Sequence, residues 1–209
     1  MRKAITIVGL ILVALGGPAR AQDSGLAAAP EPAPSRWQVG VSFLPMAVGK
    51  FTVSPGGMTI TTDAAFSYGV GVSASYMPVP GLSVGLAPQV VLNVKAKDDA
   101  AVGGSNDPAK EVDVMARVAY TLPVVESIAL YAEALPGYSY ILAPASGGDT
   151  AQGFVFAFGV GAVMDMTSRA FVSLGGGYQV GFQKLPAMDM NLDLRTKYVR
   201  VALGGGVRF

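Results

Sequence analysis

The 209-residue chain contains no histidine and no cysteine. Without histidine it lacks the usual general base and the commonest metal ligand, which excludes a Ser-His type nucleophile and a histidine-built metal centre. Without cysteine it has no disulfide framework, so hydrogen bonding and packing must close the fold. Charge is scarce as well: Asp, Glu, Lys and Arg make up 14% of the residues, against roughly a quarter in an ordinary soluble domain. The 15 basic residues exceed the 14 acidic ones by only one, too little to seek nucleic acid, and none is expected as a partner. A long apolar helix is also missing. The extended uncharged stretch from Ala64 to Val94 carries Pro78 and Pro80 and alternates Ser or Gly with large apolar residues, so it reads as two strands and a turn.

The chain does have a strong period of two, clearest at its end, Leu194 to Phe209. Phe209, Val207, Gly205, Leu203, Val201 and Val199 fall on one face, while Arg208, Gly206, Gly204, Ala202, Arg200 and Tyr198 fall on the other. One face is apolar and the other carries charge, the pattern of a strand with an apolar exterior and a polar interior. That arrangement inverts a soluble barrel and matches a membrane-spanning one.

The same alternation predicts eight strands: Trp37–Val48, Ala65–Met77, Leu82–Lys95, Glu111–Leu122, Ile128–Ile141, Gly153–Met166, Ala170–Gln183 and Leu194–Phe209. Their connections alternate between short turns (Pro78–Gly81, Pro123–Ser127, Thr167–Arg169) and longer loops (Gly49–Ala64, Ala96–Lys110, Leu142–Gln152, Lys184–Asp193). An even-stranded, all-β, antiparallel up-and-down transmembrane β-barrel with both termini on the short-turn side has this layout. Outward aromatics separate by strand direction, with Trp37, Tyr76, Tyr120 and Phe209 at the short-turn end and Phe66, Tyr138, Tyr140, Phe154, Phe156 and Phe182 at the long-loop end. Two interfacial girdles are the expected result.

Ahead of the strands, Arg2 and Lys3 precede an apolar run from Ala4 to Leu15, and Ala19-Arg20-Ala21 supplies a small-x-small cleavage site. Residues 1–21 are therefore expected to be a secretory signal peptide, because the apolar run is shorter than the roughly 20 residues of a spanning helix. Its removal takes Arg2, Lys3 and Arg20, so 12 basic residues face 14 acidic ones. Residues 22–35, rich in Pro and Ala, read as a flexible leader, and 36–209 as the barrel.

With the terminal Phe209 and the alternating apolar Val207, Leu203 and Val201 before it, the chain resembles the small bacterial outer-membrane β-barrel proteins of the OmpA/OmpX-like eight-stranded type. Gly205 departs from that terminal pattern, which usually has a larger residue there. The resemblance implies export to the outer membrane of a Gram-negative bacterium. It also implies recognition of the C-terminal strand by the barrel-assembly machinery, contact with outer-membrane lipid and lipopolysaccharide, and possible binding of an extracellular ligand or receptor through the loops. The enzymes of that group generally use a histidine, so a non-enzymatic barrel without cofactor is expected, with a structural, envelope or surface-interaction role. In size the barrel also resembles the OmpW-like group, which implies the alternative of a narrow channel or conduit for small hydrophobic solutes.

Inward positions collect eight charges: Lys95, Arg117, Arg200 and Arg208 against Glu111, Asp113, Glu133 and Asp165. An eight-stranded barrel is only wide enough for side chains to fill, so these groups require partners and are read as a lumen charge network. If Leu122 pairs with Ile128, Arg117 falls opposite Glu133 and a salt bridge is predicted there. Asp98, Asp99, Asn106 and Asp107 form an acidic loop whose spacing matches no compact metal site, so no metal is assigned. The triplets Gly175–Gly177 and Gly204–Gly206 lie inside alternating strands and precede no helix, which excludes a phosphate-cradling loop and favours close packing.

Overall fold

The computed structural model describes residues 36–54, 58–97, 108–142, 149–187 and 190–209. The expected signal peptide and leader lie outside the described residues, as does the acidic loop with Asp98, Asp99, Asn106 and Asp107. Ten strands form one antiparallel sheet: β1 (Trp37–Ser54), β2 (Ile60–Ala64), β3 (Ser67–Val79), β4 (Leu82–Leu86), β5 (Gln89–Val94), β6 (Ala109–Val125), β7 (Ile128–Leu142), β8 (Ala151–Asp165), β9 (Ala170–Ala187) and β10 (Met190–Arg208). β2 runs on into β3 and β4 into β5, each pair making one stave, so the sheet closes as a ring of eight.

Closure is made by β1 pairing with β10 on one side and β3 on the other. Trp37 N donates to Phe209 O and Phe209 N to Trp37 O, both at 3.0 Å, at the end where the short turns gather. A closed ring has no unpaired edge, which hydrocarbon would not tolerate. Proline marks the break in the third stave. Pro88 has no N–H for the ladder, and Ala87 and Pro88 separate β4 from β5. Their remaining groups stay bonded, with Val72 N donating to Pro88 O at 3.0 Å and Ala87 N to Met115 O at 2.8 Å.

The β3–β4 turn places Gly81 at φ +83°. A Cβ there would come within 2.8 Å of Thr121 O, so both conformation and space favour glycine. Two of the four expected loops are largely strand. β1 continues to Ser54 and pairs with β2 from Gly49–Ala64 to Val53–Ile60, while β9 and β10 pair out to Ala187–Met190.

The outer face is apolar along every stave: Val41, Val70, Val72, Leu86, Val114, Leu130, Phe158, Val160, Leu174 and Leu203 are all exposed. In water such a wall would be an aggregation surface; in lipid it is the solvent-matched face. The inward side holds the buried residues, so the lumen is the core.

Candidate functional site: the closed lumen

The lumen is stacked in layers that follow from strand register. Nearest the long-loop end, Leu44, Met46, Phe51, Ala64, Val91, Val94 and Tyr198 pack as one apolar cluster, with the Phe51 and Tyr198 rings edge to face at 6.0 Å. Lower down, Met115, Leu135, Val155 and Ala157 form a second cluster. All four are nearly inaccessible, so no continuous open bore runs past them. The second cluster and, in the first, Leu44, Met46, Val91 and Tyr198 occupy inward parity positions and were legible on the lumen side, yet charge alone drew attention there.

Between the two clusters lies a polar layer built from one line of register. Gln89, Asp113, Ser139, Gly153 and Gln183 are successive partners across β5, β6, β7, β8 and β9. Gln89 Nε2 donates to Asp113 Oδ2 at 2.6 Å and to Gln179 Oε1 at 2.9 Å. Gln179 Nε2 donates to Asp113 Oδ2 at 3.0 Å and to Glu111 Oε1 at 3.4 Å, and Ser139 Oγ donates to Glu111 Oε1 at 3.1 Å. Three inward glutamines in apolar strands were the sequence signal for this layer, because a buried amide needs partners.

Toward the short-turn end the lumen opens into a cavity of about 100 Å³. Gln38, Ser42, Ser73, Arg117, Glu133 and Arg200 are among its lining residues, and Gln89, Met115 and Leu135 bound it on the side of the plugs. Arg117 Nε meets Glu133 Oε2 at 2.9 Å, and Arg117 Nη1 also donates to Ser75 Oγ and Ser83 Oγ, each at 3.3 Å. At the rim, Arg208 Nη1 bonds Asp165 Oδ1 at 2.7 Å while its guanidinium stacks 5.0 Å from the Phe171 ring.

The predicted Arg117–Glu133 bridge is present, but not through the register that suggested it. Leu122 pairs with Leu130, and Ala119, not Arg117, is opposite Glu133. The β6–β7 turn is tighter than expected, with an irregularity between Pro123 and Val125. A slip of two residues keeps both side chains inward, and the long guanidinium reaches diagonally.

Lys95 is a second correction. Asn93 adopts φ +61° and the β5–β6 register shifts between Val91 and Val94, which brings Val94 into the buried cluster. Parity is lost at that kink, so Lys95 drops out of the inward row and joins no ion pair among the described residues. The network is also not the balanced set of four and four that parity implied. Among the described residues two bridges form, Arg117–Glu133 and Arg208–Asp165; Arg200 is buried without one, and Glu111 and Asp113 are held by amides and a serine.

Two inward glycines provide lumen space. A Cβ on Gly175 would fall on the Tyr131 hydroxyl and one on Gly161 would meet the same ring at 2.7 Å, so these glycines admit the inward phenol. Outward Val201, Leu203, Val207 and Phe209 are exposed, as are Trp37, Tyr120, Tyr138, Tyr140, Phe154, Phe156 and Phe182. Tyr76 is half-buried against Trp37, ring centroids 5.1 Å apart.

No protein-family model matches the chain, and no curated protein matches it in sequence. Solved structures do match in fold. The outer membrane protein OprG from Pseudomonas aeruginosa aligns at TM-score 0.60 and 13% identity, covering 84% of this chain and 96% of that one. AlkL, an outer membrane protein solved in lipid bilayers, aligns at 0.58 and 14%, covering 90% and 97%. The Neisserial surface protein NspA aligns at 0.53 and 11%, covering 83% and 97%. The chain has the fold of the small eight-stranded outer-membrane β-barrels.

Proposed function

We propose that this outer-membrane barrel is a non-enzymatic envelope protein that does not conduct and acts through the surface it presents outside the membrane. The observation that carries the reading is the sealed lumen: two packed apolar clusters with an amide–carboxylate layer between them. A route for solutes would have to displace Met115, Leu135 and Tyr198, each buried to within a few per cent. The break at Ala87–Pro88, where a side opening toward lipid would be simplest, is bridged by backbone hydrogen bonds.

Above the apolar belt, the β1–β2 and β9–β10 hairpins extend as paired strands. Arg195 stacks on Phe182 at 5.0 Å there, and Met58 and Ile60 are exposed. Stiff hairpins carrying exposed apolar and cationic groups suit contact with lipopolysaccharide or an extracellular partner. The outward aromatics at the two ends serve as interfacial girdles, and Phe209 with Val207, Leu203 and Val201 forms the strand read by the barrel-assembly machinery. Absence of histidine from the sequence supports the non-enzymatic assignment.

The test is single-channel recording of the purified protein in a planar bilayer. The wild type is expected to be silent, and Arg117→Ala with Glu133→Ala is expected to stay silent because the Met115–Leu135 cluster remains. Adding Met115→Ala and Leu135→Ala should open measurable conductance. Steady conductance in the wild type would overturn the reading in favour of a narrow OmpW-like conduit.

A further inference from the structure

The strongest unexplained group of atoms lies in the polar layer of the lumen. Glu111 and Asp113 are both fully buried on β6, and neither forms an ion pair with Lys or Arg among the described residues. The amides and Ser139 satisfy Glu111 Oε1 and Asp113 Oδ2 and leave Glu111 Oε2 and Asp113 Oδ1 without a hydrogen bond. Two further buried oxygens nearby are in the same condition. Gln183 donates its Nε2 to Ser139 Oγ and Thr196 Oγ1, at 3.3 and 3.4 Å, while its Oε1 accepts no hydrogen bond. The Tyr198 hydroxyl also makes no bond, and the charges that act on it are those of Glu111 and Asp113. Gln183 and Tyr198 are 1% and 0% exposed, on β9 and β10.

Three of these four oxygens can only accept. A buried gathering of acceptors that receive no hydrogen bond is costly unless a positive charge completes it. Arg200 is a candidate within the protein, and Asp113 is among the charges that act on it, but Glu133 acts on it more strongly, and neither Glu111 nor Asp113 forms a salt bridge with it. Counting the inward groups of this region, Glu111, Asp113 and Glu133 outnumber Arg117 and Arg200 by one negative charge.

We propose that Glu111 Oε2, Asp113 Oδ1, Gln183 Oε1 and the Tyr198 hydroxyl hold one hard, oxygen-coordinated cation inside the barrel, of the sodium or calcium class. Oxygen ligands of mixed carboxylate, amide and hydroxyl type are what such ions take, whereas softer metals favour imidazole or thiolate, both absent from this sequence. Sodium balances the count, and calcium exceeds it by one. The ion would tie β6 to β9 and β10 across the lumen, at a level where no salt bridge does so. The bland competitor is a proton shared by the two carboxyl groups, which would neutralise the same excess.

The experiment uses the protein purified from membranes in detergent, stripped with chelator and exchanged into N-methylglucamine chloride. Sodium or calcium is then added at fixed ionic strength. Equilibrium dialysis with radioactive sodium and calcium reads binding, and urea unfolding followed by Trp37 fluorescence reads stabilisation. One ion per barrel is expected for at least one of the two, with a raised unfolding midpoint. Glu111→Gln and Tyr198→Phe should each weaken binding by about tenfold or more while circular dichroism keeps its β-sheet form. Tyr198→Phe removes one oxygen and little volume, so it serves if the Glu111 variant fails to fold. Binding of neither ion to the wild type would overturn the proposal and favour the shared proton. Binding unchanged in the Tyr198 variant would also overturn it, because the ions would then be held elsewhere.

Discussion

The two ends of the Arg117–Glu133 bridge should not be equally costly to remove. In Glu133→Gln, Arg117 and Arg200 are left in one region of the lumen without the carboxylate that acts most strongly on Arg200. Breaking a buried pair by deleting one partner costs about 3–5 kcal/mol. Side-chain exposures of 16% and 11% place this bridge at the low end of that range, so roughly 3 kcal/mol is expected. In Arg117→Met the carboxylate keeps Arg200 as a counter-charge, and roughly half that loss is expected, about 1.5 kcal/mol. With a urea slope of about 2 kcal/mol/M, the midpoints should fall by about 1.5 M and about 0.7 M respectively. The assay is equilibrium unfolding in detergent, followed by Trp37, the only tryptophan of the chain. The double variant should lose less than the sum of the two, because its members share one interaction. An Arg117→Met variant as unstable as Glu133→Gln would refute the assignment of Arg200 as the second counter-charge.

Gly175→Ala should destabilise by about 1–3 kcal/mol, since its Cβ meets the Tyr131 hydroxyl, and Tyr131→Phe should relieve part of the loss in the same urea assay. Gly176→Ala, whose Cβ has nothing nearer than Arg200 O at 4.0 Å, should stay within about 0.5 kcal/mol of wild type. Val160→Arg places a charge on the exposed outer wall of β8 and should cost about 2–4 kcal/mol near the bilayer midplane; a neutral effect in lipid vesicles would contradict the lipid-facing assignment. Trp37 fluorescence should be quenched most by lipids brominated near the headgroup, and quenching greatest at the acyl end would contradict its place in an interfacial girdle.

The staves were readable because a half-buried strand writes its two environments into alternate letters, as in Phe66 to Tyr76. That signal is insensitive to register, since pairings two residues apart share a face. This is why the faces of Arg117 and Glu133 were correct while the pairing of Leu122 was not. It is sensitive to a single irregular residue. Asn93 at φ +61° reverses the faces beyond it, and no pattern in one sequence marks an asparagine that will adopt this conformation, so Lys95 was misplaced. Counting charges by parity also said nothing of distance. Glu111 and Asp113 share a face with the arginines, yet they sit three and two inward positions from Arg117 on the same strand, where glutamines meet them first. The glycines were recognised as packing positions, but their partner Tyr131 lies on another strand and becomes visible only once β7, β8 and β9 are aligned.

The reciprocal hydrogen bonds between Trp37 and Phe209 have a kinetic meaning. They join residues at opposite extremes of the barrel sequence, so the seam spans the longest sequence separation in the ring. At equilibrium so wide a loop is tolerable, because each doubling of length adds only about 0.6 kcal/mol. In time it is slow, because so distant a pairing must first overcome its loop-closure entropy. Until then β1 and β10 each present a row of unbonded amides and carbonyls, at several kcal/mol apiece in hydrocarbon. An open sheet therefore has no comfortable place in the bilayer, so entry into lipid and closure of the ring are coupled.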